Sequence, residues 1–377
     1  MKDVTSSDQL SRIVIDGYKS IAHCDLKMGS LNVLIGANGA GKSNFISFFK
    51  FIAALLDRRL QLLVGKAGGP DILLHYGRKQ TAAIDGVVSL GKDEYCFSLE
   101  PTNDNRLIFK SEGSSEGDDK KFDITLSNGK MIQATKGSNK SYSAGHFESM
   151  ADTLTPKMQV IMRRWRVYHF HDTSESAKVK QIHRINDNDY LREDGSNLAA
   201  FLFRVQKNHP SHYKRIIRTI RMVAPYFGDF YLRATPDNQD SIQLEWTEKD
   251  HDIPFKASEL SDGTLRFILL ATVLLQPEEF MPSAIIVDEP ELGLHPYAIN
   301  VLAELIKSAS HEHQLIISTQ SVELVNQFDA EDLIVVDKQG GSSTFKRLET
   351  ASLSEWLEDY SLGDLWKKNL LGGRPQS

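Results

Sequence analysis

The spacing of apolar residues changes along the chain, and each change marks a different kind of predicted structure. One short apolar strand begins at Ile13, a second covers residues 31–35, and a helical pattern of apolar positions follows over residues 45–63. Residues 81–146 differ, because short runs of β-forming residues are separated there by Gly, Asn and Ser. These runs predict an antiparallel β meander. Helical spacing then returns over residues 186–226.

The last third of the chain alternates between strands and helices. A helix is predicted from Thr264, followed by the strand SAIIVDEP, a helix from Tyr297, and the strands LIIST and DLIVVD. A βαβ series of this kind builds a parallel sheet. We therefore predict an α/β fold with a mostly parallel core sheet, an antiparallel β meander lobe and an inserted helical lobe. The predicted boundaries are a split core of residues 1–80 and 250–350, a β lobe of 81–170, a helical lobe of 171–249 and a C-terminal tail of 351–377.

The tail has its large apolar side chains at loosely helical spacing. These residues are Trp356, Leu357, Tyr360 and Trp366. We expect the tail to pack back onto the core more readily than to bind a partner protein.

Composition narrows the class of protein without naming its chemistry. The 377 residues are 41% hydrophobic and 25% charged, which is ordinary for a globular chain. The two cysteines, Cys24 and Cys96, are too few for a disulfide framework. The N-terminus lacks the pattern of a signal peptide, and no apolar stretch approaches the roughly 20 residues that span a bilayer. We expect a soluble cytoplasmic protein, with a net charge of −6 that still permits a local basic patch.

A glycine-rich segment stands between the second predicted strand and its helix. Residues 36–43, GANGAGKS, satisfy the pattern GxxxxGK[ST] in the strand–turn–helix context that this pattern requires. Glycines let backbone N–H groups and the helix N-terminus face a phosphate group. We expect Lys42 to reach the β- and γ-phosphates of ATP and the Ser43 hydroxyl to ligate Mg²⁺. The predicted nucleotide-binding residues are Gly36, Asn38, Gly39, Ala40, Gly41, Lys42, Ser43 and Asn44.

Two adjacent carboxylates follow the strand at residues 283–287. Asp288, at the carboxyl end of a buried strand, is the expected partner of Mg²⁺. Glu289 is our candidate general base, positioned to activate the water that attacks the γ-phosphate. A helix N-cap following a strand would explain the pair without catalysis, but the glycine-rich loop favours the catalytic interpretation.

The segment SELSDGT, residues 258–264, opens a helix upstream of the carboxylate strand. Ser261 and Gly263 give that helix a small, polar start rich in N–H groups, which favours an anion. One chain cannot easily direct this helix start and its own glycine-rich loop at the same γ-phosphate, which points to a dimer. The motif alone is equally well explained by Ser261 as an ordinary N-cap.

These motifs, in this order, resemble those of ABC-type ATPases. More narrowly, the chain resembles the SMC/RecF/OLD-like branch, on three features: Tyr18-Lys19-Ser20 after the first strand, the loop GANGAGKSN, and DEPELGLHP at residues 288–296. The resemblance extends to DGSNLAAFL at residues 194–202 and implies an ABC-ATPase head fold for the whole chain.

The resemblance implies a homodimer that sandwiches ATP and Mg²⁺. In that dimer, Ser261 and Gly263 of one head face the γ-phosphate that the other head holds. The resemblance also brings Lys19 and Ser20 into the candidate nucleotide site.

The chain departs from the family pattern at three positions. Asp262 replaces a glycine of the signature, Thr264 replaces a common glutamine, and Gln320 replaces the histidine that normally follows the LIIST strand. Glutamine can hydrogen-bond a γ-phosphate oxygen or the attacking water but cannot carry a proton. We therefore include Gln320 among the catalytic candidates and expect slow turnover. A Q-loop residue has three equal candidates, Arg78, His171 and Asp172.

Basic residues at helical spacing are the candidate nucleic-acid contacts. Lys214, Arg218 and Arg221 recur at intervals of four and three residues, which places them on one helix face. A solvated helix face explains them more simply, without DNA. Family members commonly act on DNA, which favours a DNA-directed process such as genome maintenance or phage defence. OLD-like proteins add a C-terminal Toprim nuclease. Because about 40 residues follow the last strand, we expect a nuclease or effector to be a separate chain.

Two other functions remain open. A nucleotide-gated scaffold with little hydrolysis is favoured by Gln320 and opposed by Glu289. A transporter nucleotide-binding subunit is opposed by DEPELGLHP and by the 218 positions between Ser43 and Ser261, obtained as 261 − 43. We expect no membrane partner.

Overall fold

A computed structural model describes residues 8–115, 117, 123–125, 131–133, 142–148 and 154–373. Its strands are β1 (Leu10–Tyr18), β2 (Ile21–Lys27), β3 (Leu31–Ile35), β4 (Ile84–Leu90), β5 (Asp93–Pro101), β6 (Leu107–Ser115), β7 (Asp123–Thr125), β8 (Met131–Gln133), β9 (Tyr142–His146), β10 (Trp165–Tyr168), β11 (His183–Arg184), β12 (Phe227–Phe230), β13 (Ala234–Thr235), β14 (Asn238–Ile242), β15 (Glu245–Glu248), β16 (Pro254–Lys256), β17 (Ala284–Asp288), β18 (Gln314–Thr319), β19 (Leu333–Gln339) and β20 (Ser342–Arg347). Its helices are α1 (Lys42–Leu56), α2 (Leu60–Ala67), α3 (Pro70–Leu73), α4 (Pro156–Arg163), α5 (Leu198–Asn208), α6 (Pro210–Val223), α7 (Asp262–Leu275), α8 (Pro296–Ser310), α9 (Val322–Val325), α10 (Ser354–Leu357) and α11 (Leu362–Lys367).

The chain forms two compact units. The first comprises residues 1–165 and 329–377, and the second comprises residues 166–328. The boundaries that we predicted from the sequence stay a prediction.

The larger sheet of the first unit is antiparallel. Its strand order is β2-β1-β4-β5-β6-β9, so the two N-terminal strands join the strands of the predicted meander. In its register Ile13 lies opposite Val88, and Val87 lies opposite Cys96. The cysteines Cys24 and Cys96 are both buried and free.

A second group of strands in the first unit carries the glycine-rich loop. β19 pairs in parallel with β3 and antiparallel with β20. All five residues of β3 are buried, four of them apolar and the fifth Asn32. Aromatic rings fill the core beneath α1, where Phe48 contacts Tyr18, Phe51 and Phe97. This packing fixes the helix that follows the loop.

The second unit has its own parallel pair. β17 pairs in parallel with β18 in the register Ala284 to Gln314 and Asp288 to Ser318, and β10 lies beside β17. The helix α7 is almost wholly buried after its first turn. The helices α5 and α6 and two three-stranded sheets, β11-β14-β13 and β12-β15-β16, complete the unit. The predicted α/β class is confirmed.

The tail packs in part as predicted. Trp366 is buried on α11, whereas Trp356 and Tyr360 remain 47% and 37% exposed. In the part of the chain that the structure describes, no helix combines the length and the apolar character needed to cross a bilayer.

Candidate functional site

The glycine-rich loop of the first unit connects β3 directly to α1. Gly39 and Gly41 have left-handed φ values of 77° and 119°, a conformation that glycine adopts at little cost. A Cβ atom at Gly36 would collide with the carbonyl oxygen of Val336. All three glycines of the loop are therefore required by the backbone itself.

Lys42 lies within this loop and is only 4% exposed. Its Nζ donates to the carbonyl oxygens of Gly36 at 2.6 Å and Ala37 at 3.0 Å, so the ammonium closes the loop upon itself. The first turn of α1 has Gly41 at its N-cap and no side-chain cap. Its N–H groups are those that a phosphate satisfies at a helix N-terminus. The loop therefore fits a nucleotide phosphate.

Two residues of the predicted nucleotide site, Ser20 and Asn44, are connected to the loop by Ser343, which the sequence did not indicate. Asn44 Nδ2 donates to Ser20 Oγ at 2.7 Å. Ser343 Oγ, on β20, lies 2.7 Å from Ser20 Oγ and 2.6 Å from the carbonyl oxygen of Ala40. Ser343 thus links Ser20 to the loop, and no local motif around it announces this role.

Lys19 and Ser43 occupy different surroundings at this end of α1. Lys19 Nζ donates to Ser47 Oγ at 2.9 Å. Burial lowers the pKa of Lys19, and the charge of Lys50 lowers it further. Ser43 is exposed at the start of α1. The structure brings Ser20 and Asn44 together and holds Lys19 on the helix through Ser47.

The carboxylate pair of the second unit lies at the carboxyl end of β17. Asp288 accepts a hydrogen bond from Ser318 Oγ on the neighbouring strand. Glu289 has a left-handed φ of 48°, and its N–H donates to the carbonyl oxygen of Ser318 at 2.9 Å. Gln320 Nε2 donates to the Glu289 carboxylate. The two predicted catalytic residues of this unit are therefore in direct contact, and a strained backbone holds Glu289 there.

A third carboxylate, which the sequence reasoning passed over, supports this pair. One oxygen of buried Glu291 accepts from Thr319 Oγ1 at 2.6 Å, from the N–H of Gln320 at 3.1 Å and from the N–H of Ser321 at 3.2 Å. Burial raises the pKa of Glu291, and the charge of Glu289 raises it further. Glu291 thereby fixes the backbone that presents Gln320 to Glu289.

The free energy of unfolding of Glu291→Gln should increase relative to that of wild type as the pH rises. Because the pKa of Glu291 is raised above its ordinary 4.5, the folded chain holds this proton more tightly than the unfolded chain. Between the ordinary and the raised pKa, wild type therefore loses stability with rising pH, by up to about 1.4 kcal/mol per pH unit. Melting temperatures from about pH 5 to about pH 8 measure the difference.

Exposed Glu304 on α8 is the matched control for the loss of a carboxyl group. A difference between Glu291→Gln and wild type that stays constant over this range would contradict the assigned environment.

The predicted signature residues begin α7. Ser261 is the N-cap, and its Oγ accepts from the N–H of Thr264 at 3.2 Å. The Thr264 hydroxyl lies 2.8 Å from Ser261 Oγ and 3.1 Å from the Tyr226 hydroxyl. A Cβ atom at Gly263 would lie 2.5 Å from the carbonyl oxygen of Gly293. Glycine is therefore needed where the helix start meets the loop that follows Glu289.

Arg266 ties three segments of the second unit together. Its guanidinium donates to the carbonyl oxygens of Phe170 at 3.1 Å, His171 at 3.0 Å and Leu292 at 2.8 Å. Arg266, His171 and Leu292 also line a cleft with Asp288 and Glu289. The signature helix is thus joined to the segment after β10 and to the loop after the carboxylate pair.

The three Q-loop candidates differ in their placement. His171 lines the cleft of the carboxylate pair. Asp172 accepts from Ser174 Oγ at 2.7 Å. Arg78, in the first unit, donates to Asp71 at 2.9 Å and to the carbonyl oxygen of Thr102 at 2.8 Å, which is a structural use of its guanidinium.

Comparison with known protein families assigns the chain to one of them. Residues 31–326 match the family described as "AAA domain, putative AbiEii toxin, Type IV TA system". The chain belongs to this family. The matched range takes in the glycine-rich loop, the signature residues and the carboxylate pair. This AAA-domain protein is a P-loop ATPase of the SMC/RecF/OLD-like branch.

A curated relative of the AAA-domain protein comes from a bacteriophage. The Old nuclease of Escherichia phage P2 is 22% identical over a match 393 positions long, gaps included. The match covers 93% of this chain. The chain spans 62% of the length of that relative.

Two solved structures have the same fold. An Smc head bound to the C-winged helix domain of ScpA is 15% identical, with a TM-score of 0.59 and coverage of 91% of this chain and 99% of the other. An Smc head domain with an extended coiled coil bound to the C-terminal domain of ScpA, from Pyrococcus furiosus, is 14% identical, with a TM-score of 0.57 and coverage of 93% and 99%. These likenesses show an SMC-type ATPase head fold.

The three candidate nucleic-acid contacts of this AAA-domain protein all lie on α6, but they differ in their hydrogen bonds. Lys214 and Arg218 are exposed. Arg221 Nε donates to the carbonyl oxygen of Gly228 at 2.9 Å, so its guanidinium ties α6 to β12. Sequence spacing groups the three residues, whereas the structure leaves Lys214 and Arg218 as the better candidates for a phosphate contact.

Proposed function

We propose that this AAA-domain protein binds and hydrolyses ATP with Mg²⁺. The observation that carries the proposal is the geometry of Lys42, whose ammonium is held by the carbonyl oxygens of Gly36 and Ala37 inside a loop that fits a phosphate. The uncapped first turn of α1 supports it, because its N–H groups suit the phosphate charge.

In the proposed reaction Glu289 is the general base and Gln320 orients it. The contact between Gln320 Nε2 and the Glu289 carboxylate supports this pairing. Ser43 and Asp288 each offer an oxygen ligand of the kind that Mg²⁺ prefers, an assignment that rests on the sequence motifs and on the family. Bound Mg²⁺ would supply positive charge against the phosphate oxygens. Glutamine moves no proton, so we expect slow turnover.

We further propose that two copies of the chain close on ATP. Ser261 and Gly263 at the start of α7 offer a small, polar helix terminus for the γ-phosphate that the partner copy holds. The requirement for glycine at residue 263, beside the carbonyl oxygen of Gly293, supports a tightly built helix start.

The dimer is proposed to control a DNA-directed process, such as genome maintenance or phage defence. The support is the AAA-domain family, the likeness to a phage Old nuclease and to Smc heads, and exposed Lys214 and Arg218 on α6. An effector or nuclease on a separate chain is part of this proposal. We propose a cytoplasmic location for it.

The ATPase rate measured with no nucleic acid, duplex DNA, single-stranded DNA and RNA tests this proposal. We expect DNA to stimulate turnover. The double variant Lys214→Ala with Arg218→Ala should weaken DNA binding and lower the slope of log affinity against log salt by about two, because two phosphate contacts are lost.

Lys307→Ala, which changes a partly exposed lysine on α8, is the control with an unchanged slope. If no nucleic acid stimulates turnover and the slope of the double variant is unchanged, a DNA-directed function is wrong and a protein partner takes its place.

The Gln320–Glu289 contact also favours a second candidate function, a nucleotide-gated scaffold. In that function the hydrogen bond from Gln320 Nε2 holds the carboxylate and prevents it from activating water. The protein would then bind ATP and change its partners with little hydrolysis. The two functions differ in single-turnover assays, where a scaffold releases ATP unchanged.

A further inference from the structure

The end of the described chain returns to the glycine-rich loop. The N–H of Ala37, the second residue of the loop, donates to the carbonyl oxygen of Gly373 at 2.7 Å. The segment that brings Gly373 there is anchored by buried Leu365 and Trp366 on α11 and by buried Leu371. Gly373 itself lies outside every motif that the proposed function uses.

The peptide unit between Gly36 and Ala37 is bonded at both ends. Its N–H, carried by Ala37, donates to the carbonyl oxygen of Gly373, whereas its carbonyl oxygen, that of Gly36, accepts from Lys42 Nζ at 2.6 Å. A peptide plane turns as a unit, so a bond at its nitrogen fixes the direction of its oxygen. The tail thus sets the orientation of one of the two carbonyl groups that hold the Lys42 ammonium.

The approach of the tail to the loop is as close as a glycine allows. A Cβ atom at Gly373 would lie 3.1 Å from Val335 Cγ1, 3.2 Å from the carbonyl oxygen of Val336 and 3.4 Å from the Cα of Gly36. Contacts this short require the neighbours to move. Gly372, one residue earlier, has a similar left-handed φ, 82° against 79°, but a Cβ there would meet its nearest neighbours at an ordinary 3.8 Å.

We propose that the tail of residues 362–373 is part of the nucleotide site, with Gly373 as a positioning residue that pre-orders the phosphate-binding loop. The inference rests on the proposed ATP binding. A docked tail holds the Gly36–Ala37 peptide, and through the Gly36 carbonyl oxygen it holds Lys42, in the conformation that receives a phosphate, so nucleotide affinity depends on the tail. Coupling of this kind is reciprocal, and bound nucleotide must tighten the tail by the same factor.

Two glycine variants separate this role from backbone strain. Gly373→Ala and Gly372→Ala place the same methyl group at neighbouring left-handed positions, and only the first presses on the loop. We expect Gly373→Ala to weaken the affinity for a fluorescent non-hydrolysable ATP analogue about fivefold, the effect of one net backbone hydrogen bond. Gly372→Ala should stay within about twofold of wild type. Equal affinities of the two variants would overturn the inference.

Hydrogen exchange of wild-type protein measures the reciprocal effect, which is that of bound nucleotide on the tail. Amides of residues 362–373 should exchange about fivefold more slowly when the magnesium-bound analogue saturates the protein. Unchanged or faster exchange would mean that the tail does not support the bound loop, and it would overturn the inference while leaving ATP binding intact. A wild-type protein that binds no analogue would remove the proposed function and this inference with it.

Discussion

Lys42→Ala is expected to weaken ATP binding by about 100-fold or more. Lys42 is nearly fully buried and is held by the carbonyl oxygens of Gly36 and Ala37, so its charge is available at the loop at no further cost in ordering. Loss of a desolvated charge partner costs about 2–5 kcal/mol, which corresponds to this range. Titration with a fluorescent ATP analogue in the presence of Mg²⁺ measures the change.

Lys50→Ala is the matched control, because Lys50 lies on the same helix and is exposed. It removes the same charge from α1 without touching the loop. Melting temperatures of both variants show that the chains remain folded. If Lys42→Ala bound ATP as tightly as Lys50→Ala, the glycine-rich loop would not be the nucleotide site.

Glu289→Gln is expected to lower ATP turnover by about 100-fold or more while ATP binding is retained. General-base catalysis contributes about 10²–10⁴ to a rate, and an amide cannot accept the proton of the attacking water. Since Gln320 Nε2 donates to the Glu289 carboxylate, the substituted amide can still accept this hydrogen bond through its oxygen. The variant should therefore accumulate in the ATP-bound state, which single-turnover and filter-binding assays detect.

Glu304→Gln serves as the control, since Glu304 is exposed on α8 and pairs with Lys307. Its turnover should equal that of wild type. Wild-type turnover in Glu289→Gln would exclude Glu289 as the base. A wild type with no turnover at all would instead favour the nucleotide-gated scaffold.

Local patterns made the elements around the site predictable. The glycines and Lys42 of the loop follow a buried strand and open a helix, and the bonds from Lys42 Nζ to the carbonyl oxygens of Gly36 and Ala37 are local in sequence. The same holds for Ser261, which caps α7 through Thr264, three residues away. Hydrophobic spacing and capping residues are short-range signals, and they sufficed there.

Contacts between distant residues could not be predicted in this way. Ser343 reaches Ser20 across 323 positions of sequence, and Gly373 reaches Ala37 through a carbonyl group that every residue carries. Helical spacing grouped Arg221 with Lys214, but only coordinates show its guanidinium bonded to the carbonyl oxygen of Gly228. Side-chain partners of this kind depend on tertiary packing, which no local pattern encodes.

Strand pairing shows the same limit. The strand β1 was predicted from its apolar run and β2 was not, and the place of both in one sheet with the meander follows from tertiary packing. The tail shows the same limit of local patterns, since spacing alone did not separate buried Trp366 from exposed Trp356.

The mass of the protein in solution with a saturating, magnesium-bound, non-hydrolysable ATP analogue tests the central claim most directly. Sedimentation equilibrium should show a monomer without nucleotide and a dimer with it, and Ser261→Arg, which places a bulky charge at the start of α7, should remain monomeric in both. A wild-type chain that binds the analogue and stays monomeric, with its DNA and protein partners present, would contradict the account.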